Sequence, residues 1–434
     1  MAGKKFIRWL YEELPSLVEN GVLGQAQADA LKEHYGSVVK IGGRNVALVV
    51  FSIIGSLLIG TGIILLFAHN WSQLTREART LLAIAPLLGA QIYAVNVMRQ
   101  GKGVAAREGA ATFVSLLFAS AVAIVGQTYH IGGDVGGFLL TCAIFIIPLA
   151  FAMDTVMPAA LYMGAITGWV SYARCHDERV YFFWLLMIPV LVKYVNMVKA
   201  DRYAGRAVFL SWVMAICLPI AAGFIQEYRI DGAWIVVFAS VFGLMYLAAK
   251  QWFADAESVW ASPFKVIGGA GIVVMSFLLT YGFCWDEIRY WHPWHDFSGM
   301  DYAMMMLPVA GVVLLAVPLF VKKRYVEAVT GGMPILAAAG FLAVTLSGGV
   351  EEIGMIMFNV YLLVLSITKI VSGIKRESVA LLNGGMLMLG LLIMLRFIDS
   401  DLEFLAKGIV FIILGAGFLT VNVLMLRKKK EVSE

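Results

Sequence analysis

From Val46 to Leu426 the chain alternates long apolar runs with short polar breaks. Each run is about 20 residues long, the length that carries a helix across a bilayer. Fourteen runs are drawn on this pattern: about 46–68, 81–98, 109–126, 137–153, 156–173, 180–198, 207–225, 232–252, 264–283, 302–321, 327–346, 350–371, 378–397 and 402–426. Only the region of Asp154 separates the fourth from the fifth, so that split is open. In lipid every backbone N–H and C=O must be satisfied within its own segment, so the runs are predicted to be helices. The alternating polarity of barrel strands is absent. The expected fold is an all-α polytopic membrane bundle of about fourteen transmembrane helices.

Ahead of the first run the pattern changes. Phe6, Trp9, Leu10, Leu14, Leu17 and Val18 recur at helical spacing and predict an amphipathic helix. Asn20-Gly21 reads as its end. Residues 24–36 read as a second short helix, with Ala26, Ala30 and Leu31 on one side and Gly36 after it. The division is a helical hairpin over 1–45, a transmembrane bundle over 46–426 and a basic tail over 427–434. The hairpin is either a self-packing or membrane-surface cap, or a docking module for a protein partner. The first residues, MAGKKFIRWLYEELP, lack the uninterrupted apolar core of a signal peptide.

Composition agrees with a bilayer as the main surrounding. The 434 residues are 61% hydrophobic and only 14% charged, against roughly 45–50% and about 25% in soluble domains. A net charge of +4 gives no reason to expect a nucleic-acid partner. Its distribution is more informative. With both termini inside, 25 of the 33 lysines and arginines fall on the inner side. Basic residues favour the cytoplasmic side, which predicts an N-in, C-in chain with an even number of spans. Cys142 and Cys217 lie in apolar runs as ordinary buried thiols, while Cys175 and Cys284 fall near one face and leave a disulfide open. Val-Asn steps before a base recur at Asn96, Asn196 and Asn422, which suggests helical hairpins closing on the outer face. Small residues recur in SIIGSLLIGTG, GGAGIVVMS and NGGMLMLG, a sign of close helix contact.

The break at residues 124–138, IVGQTYHIGGDVGGF, carries polar groups among five glycines and no Lys or Arg. Gln127, Tyr129, His130 and Asp134 are candidates to bind a polar headgroup or relay protons. Two geometries fit: a broken or re-entrant helix lining a cavity, or a capped, self-bonded loop that positions two helices. A second candidate cluster is Arg396 with Asp399, Asp401 and Glu403; acids there also suit the start of the last helix. His292, His295 and Asp296 in the longest outer loop are weak metal candidates, because Pro293 breaks the helical spacing. No P-loop, GxSxG or zinc motif is present, and no cofactor is expected.

LVENGVLGQAQADALKEHYG, GQTYHIGGD and the stretch from Asn383 to Lys430 resemble bacterial multi-spanning proteins of domain-of-unknown-function family 2157. That resemblance implies a bacterial inner-membrane protein with a cytoplasmic N-terminal helical module, and no established activity. The functional expectation is a transporter-like or flippase-like protein with a polar site near the outer face. The alternatives are a non-catalytic scaffold or sensor that binds a protein partner, and a membrane enzyme acting on a lipid-linked substrate.

Overall fold

A computed structural model describes residues 4–35, 74–176, 180–226, 232–256, 258–290, 299–398 and a few positions between 409 and 420. Among the described residues the secondary structure is helical, with no strand. Two compact units are distinguished, Met1–Ala78 and Arg79–Glu434. The first predicted span, 46–68, and the last, 402–426, lie outside the described residues.

In the first unit, α1 (Lys4–Glu19) and α2 (Gln25–Tyr35) form a hairpin. Gly21 takes the left-handed conformation at φ +70°. It lets Val22 N–H donate to the Leu17 carbonyl at 2.9 Å and Gly21 N–H to Val18 at 3.1 Å, which closes the helix end. Leu14 and Ala28 are buried at 1% and 2% exposure. On α2, Ala26 and Ala30 are exposed, and Ala28 with the half-buried Leu31 forms the inward face. These two are three apart, so they share a side of the helix.

The second unit continues through α3 (Arg76–Arg99), α4 (Val104–Tyr129), α5 (Val135–Ala152), α6 (Met157–Cys175), α7 (Phe182–Asp201) and α8 (Gly205–Ile225). Next come α9 (Ala233–Trp252), α10 (Pro263–Leu278), the single turn α11 (Phe283–Asp286) and α12 (Gly299–Val321). The unit ends on α13 (Tyr325–Gly331), α14 (Met333–Leu346), α15 (Glu351–Lys375) and α16 (Val379–Ile398). Large apolar side chains face outward along these helices, among them Leu81, Ile92, Leu185, Leu314 and Leu387. Lipid tails are as apolar as leucine, so outward burial is not needed and small residues take the helix contacts. Two cores result. One surrounds α6 through Tyr162, Met163, Ile166 and Val170, packed on Phe183, Val190 and Leu210. The other surrounds α9 through Ile235, Val236 and Ala239, packed on Ile272, Trp285 and Phe358.

Eight helices among the described residues are long and apolar enough to cross a membrane, or nine if one bent pair counts as a single span. They correspond to the expected runs from 81, 109, 137, 180, 207, 232, 350 and 378. Four other runs depart from the expectation. α10 stops at Leu278 because Thr280, Tyr281 and Gly282 begin a turn around Trp285, whose Nε1 donates to the Leu279 carbonyl at 2.9 Å. The apolar part of α12, Met305–Val321, is short. The run at 327–346 is the bent pair: α13 and α14 meet at 42° across Gly332. The run at 156–173, α6, is long but carries Tyr162 and Thr167, which are buried, and Tyr172, which is half-buried. Asp154 resolves the open split: α5 and α6 are separate helices, and Asp154 sits between them at φ +48°.

Hydrogen bonds and ion pairs link Glu108, Asp154 and Arg206, Arg202 with Trp252, and Lys250, Arg324, Glu327 and Arg376, gathering these charged turns into a basic end. At the basic end, left-handed residues Gly101, Asp154, Lys323 and Glu377 close four helices. Each is followed by an N–H that reaches back one turn: Lys102 to Val97, Thr155 to Ala150, Arg324 to Leu319 and Ser378 to Gly373, at 2.9–3.1 Å. The most extensive consecutive packing is α15 on α16, α5 on α6 and α9 on α10. Glycines permit the approach. A Cβ on Gly268 would meet the Phe242 carbonyl and the Tyr246 N–H at 2.7 Å, and one on Gly385 would meet Ile370 N and Ser366 O at 2.8 Å.

Candidate functional site

The loop singled out in the sequence joins α4 to α5, and both of its ends are capped. His130 takes the left-handed conformation at φ +52°, and Ile131 N–H donates to the Gly126 carbonyl at 3.0 Å. His130 Nδ1 lies 3.0 Å from the Gln127 carbonyl, a contact that needs the Nδ1–H tautomer. Asp134 caps α5: its Oδ1 accepts from Gly137 N–H at 2.6 Å. The Tyr129 hydroxyl reaches across to Thr80 Oγ1 on α3 at 2.9 Å. Of the two geometries open in the sequence, the capped loop is the one formed. The bend expected of a re-entrant segment occurs at Gly332 instead.

Beside this loop lies a cleft of about 770 Å³ between α4 and α5. Gln127 and Asp134 border its polar end, and Ala121, Val125 and Phe138 contribute its apolar wall. Six residues separate Ala121 from Gln127, so the cleft extends about 9 Å along α4. Gly126, Gly132 and Gly133 also line it, and a Cβ on any of them would meet open space. Apolar walls with a few polar groups at one end suit an amphipathic molecule. Tyr129 and His130 are not among its lining residues.

The second expected cluster is met only at Arg396. One guanidinium nitrogen donates to Thr280 Oγ1 at 3.1 Å, and the group lies 4.4 Å from the Tyr281 ring centroid. Asn359 Nδ2 donates to the Thr280 carbonyl at 3.3 Å, which ties α15 to the same turn. Asp399, Asp401 and Glu403 lie outside the described residues, as do His292, His295 and Asp296. Among the described residues no group of His, Cys, Asp and Glu could hold a metal ion. All four cysteines are free; Cys175 is exposed and Cys284 is buried.

The basic end holds a network that the sequence reading did not assemble. Both oxygens of Glu108 accept from Val156 N–H at 2.9 Å, and one accepts from Met157 N–H at 3.1 Å. Glu108 thereby caps α6 from a neighbouring helix. Arg206 Nε donates to Glu108 at 3.1 Å, and other guanidinium nitrogens bond the Asp154 carboxylate and carbonyl. Lys193, only 5% exposed, reaches the Asp154 carboxylate at 2.5 Å. That ammonium, hydrogen-bonded to Asp154 and aided by Arg206, holds the carboxyl below its ordinary value. The network joins α4, α6, α7 and α8 through the turn at Asp154. Its sequence signal is slight: charged residues at the very ends of apolar runs.

Residues 15–159 match a family described as predicted membrane protein, DUF2157. The match takes in the end of α1, all of α2 and the capped loop with its cleft; the resembling stretch from Asn383 lies beyond it. No curated protein and no solved structure matches the chain. The protein is thus a membrane protein with multiple candidate spans.

Proposed function

We propose that the chain is transporter-like or flippase-like, and that the cleft between α4 and α5 receives an amphipathic, lipid-like molecule. Its polar part would sit against Gln127 and Asp134, and its apolar part along Ala121 and Val125. The observation that carries this reading is the cleft itself, open where Gly126, Gly132 and Gly133 lack side chains. On this reading the basic end faces the cytoplasm, with both termini inside and the cleft opening on the other face.

A scaffold or sensor is the second reading. What favours it is that Tyr129, His130 and Asp134 already have partners in the caps and on α3.

Gly126→Leu fills the cleft without touching either cap side chain. Purified protein in liposomes is assayed for movement of a fluorescent phospholipid between leaflets. The transporter reading expects movement by the parent protein and at least a tenfold slowing by Gly126→Leu at unchanged thermal stability. Binding of phospholipid without movement would remove the transporter reading; neither binding nor movement would remove the lipid ligand altogether.

A further inference from the structure

A separate cluster forms where the bent pair begins. Glu327 on α13 is 7% exposed. Its Oε1 accepts from Arg324 at 3.4 Å and from Arg376, after α15, at 3.4 Å. Its Oε2 is buried with no hydrogen-bond partner. Arg324 also donates to the Lys250 carbonyl at 3.3 Å, drawing α9 in. The Lys250 ammonium lies 5.5 Å from the Tyr246 ring. The charged groups it feels are Glu327, Lys265, Arg324 and Arg376.

Arg324, Arg376 and Lys250 therefore act on the single Glu327 carboxylate and Lys265 acts on Lys250, an excess of three positive charges at a partly buried place. Like charges gathered there repel, and the medium screens them less than open water does. Each guanidinium offers one N–H to Glu327; Arg324 uses a second on the Lys250 carbonyl, and the other donors of both remain for a ligand. Access is open: the Arg324 and Arg376 side chains are 33% and 48% exposed, and Lys265 is exposed. A metal cation would meet repulsion here. A tetrahedral oxyanion would relieve it and match the guanidinium forks.

We propose that Lys250, Lys265, Arg324 and Arg376 form a phosphate-binding site at the basic end, filled by the headgroup of an anionic phospholipid, with Glu327 holding the two guanidiniums in place. Helices α9, α10, α13 and α15 supply one side of the site each or the turn beside it. Basic pockets between membrane helices are suited to such headgroups. The site shares no residue with the α4–α5 cleft and does not depend on it.

The test uses the full chain in detergent, with phosphatidylglycerol, phosphatidylcholine and inorganic phosphate as separate probes and thermal unfolding as the readout. Phosphatidylglycerol is expected to raise the apparent Tm, and phosphatidylcholine is not. Arg376→Gln and Lys265→Gln, both at exposed positions, should each weaken the effect about fivefold, which corresponds to about 1 kcal/mol per basic residue. Lys322→Gln, exposed on a nearby turn, should leave it unchanged. Equal stabilisation by inorganic phosphate, lost in the same variants, would keep the phosphate site and overturn its assignment to lipid. Should Arg376→Gln not fold, Lys265→Gln decides alone. Equal stabilisation by phosphatidylcholine, or an undiminished response in Lys265→Gln, would overturn the proposal.

Discussion

Glu108→Gln removes the charge at the centre of the basic-end network while keeping the side chain's shape. The carboxylate accepts from two backbone N–H groups and from Arg206. A carboxamide presents an NH2 where one of those oxygens stood, so it faces donors with a donor. Hydrogen bonds to a charged group are each worth about 1.5–3 kcal/mol. Breaking a buried pair costs about 3–5 kcal/mol. The side chains of Glu108 and Arg206 are 18% and 31% exposed, so solvent screens part of that. A loss of about 2–4 kcal/mol remains. At about 2.1 cal/mol/K of unfolding entropy per residue, each kcal/mol moves Tm by about 1 °C in a chain of this size, so a fall of roughly 2–4 °C is expected. Thermal unfolding in detergent, followed by intrinsic tryptophan fluorescence, reads it. Arg206→Gln completes a double-mutant cycle, and the coupling should exceed about 1 kcal/mol because the two residues bond directly. A Glu108→Gln protein within 1 °C of the parent, or strictly additive variants, would refute the network as a stabilising element.

Asp154, held below its ordinary value by Lys193, contributes stability that is fully present above the unfolded carboxyl value, about 3.9, and is lost as pH falls through the lower folded value. Melting of the parent and of Asp154→Asn should therefore differ at pH 7 and converge below about pH 4; a constant difference across that range would contradict it. Gly385→Val forces a side chain against Ile370 N and Ser366 O and should destabilise by about 1–3 kcal/mol or more. Gly384→Ala, with open space around it, should instead be neutral or stabilising by up to about 1 kcal/mol. Equal Tm values for these two neighbours would remove the close α15–α16 contact from the account.

Much of the fold was legible because hydropathy reports length directly. The runs from 81, 109 and 137 became helices of spanning length. Hydropathy is blind to backbone breaks inside an apolar run. The step at Gly331-Gly332, with Pro334 just after, carried the signal for the α13–α14 bend, yet the run at 327–346 reads as continuous. The loop at Gln127–Asp134 showed its chemistry but not its geometry. His130 is a ligand candidate by its chemistry, and its ring and backbone serve in a left-handed cap that histidine tolerates better than most residues. The basic-end network was hidden for another reason. Its partners are 39 to 98 residues apart, and helix periodicity says nothing about which distant ends meet.

The occupancy of the cleft is tested most directly by a photoactivatable phospholipid added to the purified full chain, with cross-linked peptides mapped by mass spectrometry. The account predicts saturable labelling between Ala121 and Thr141, displaced by unlabelled phospholipid and lost in Gly126→Leu. Labelling spread evenly over the outward apolar faces of the helices, unchanged by that substitution, would contradict it.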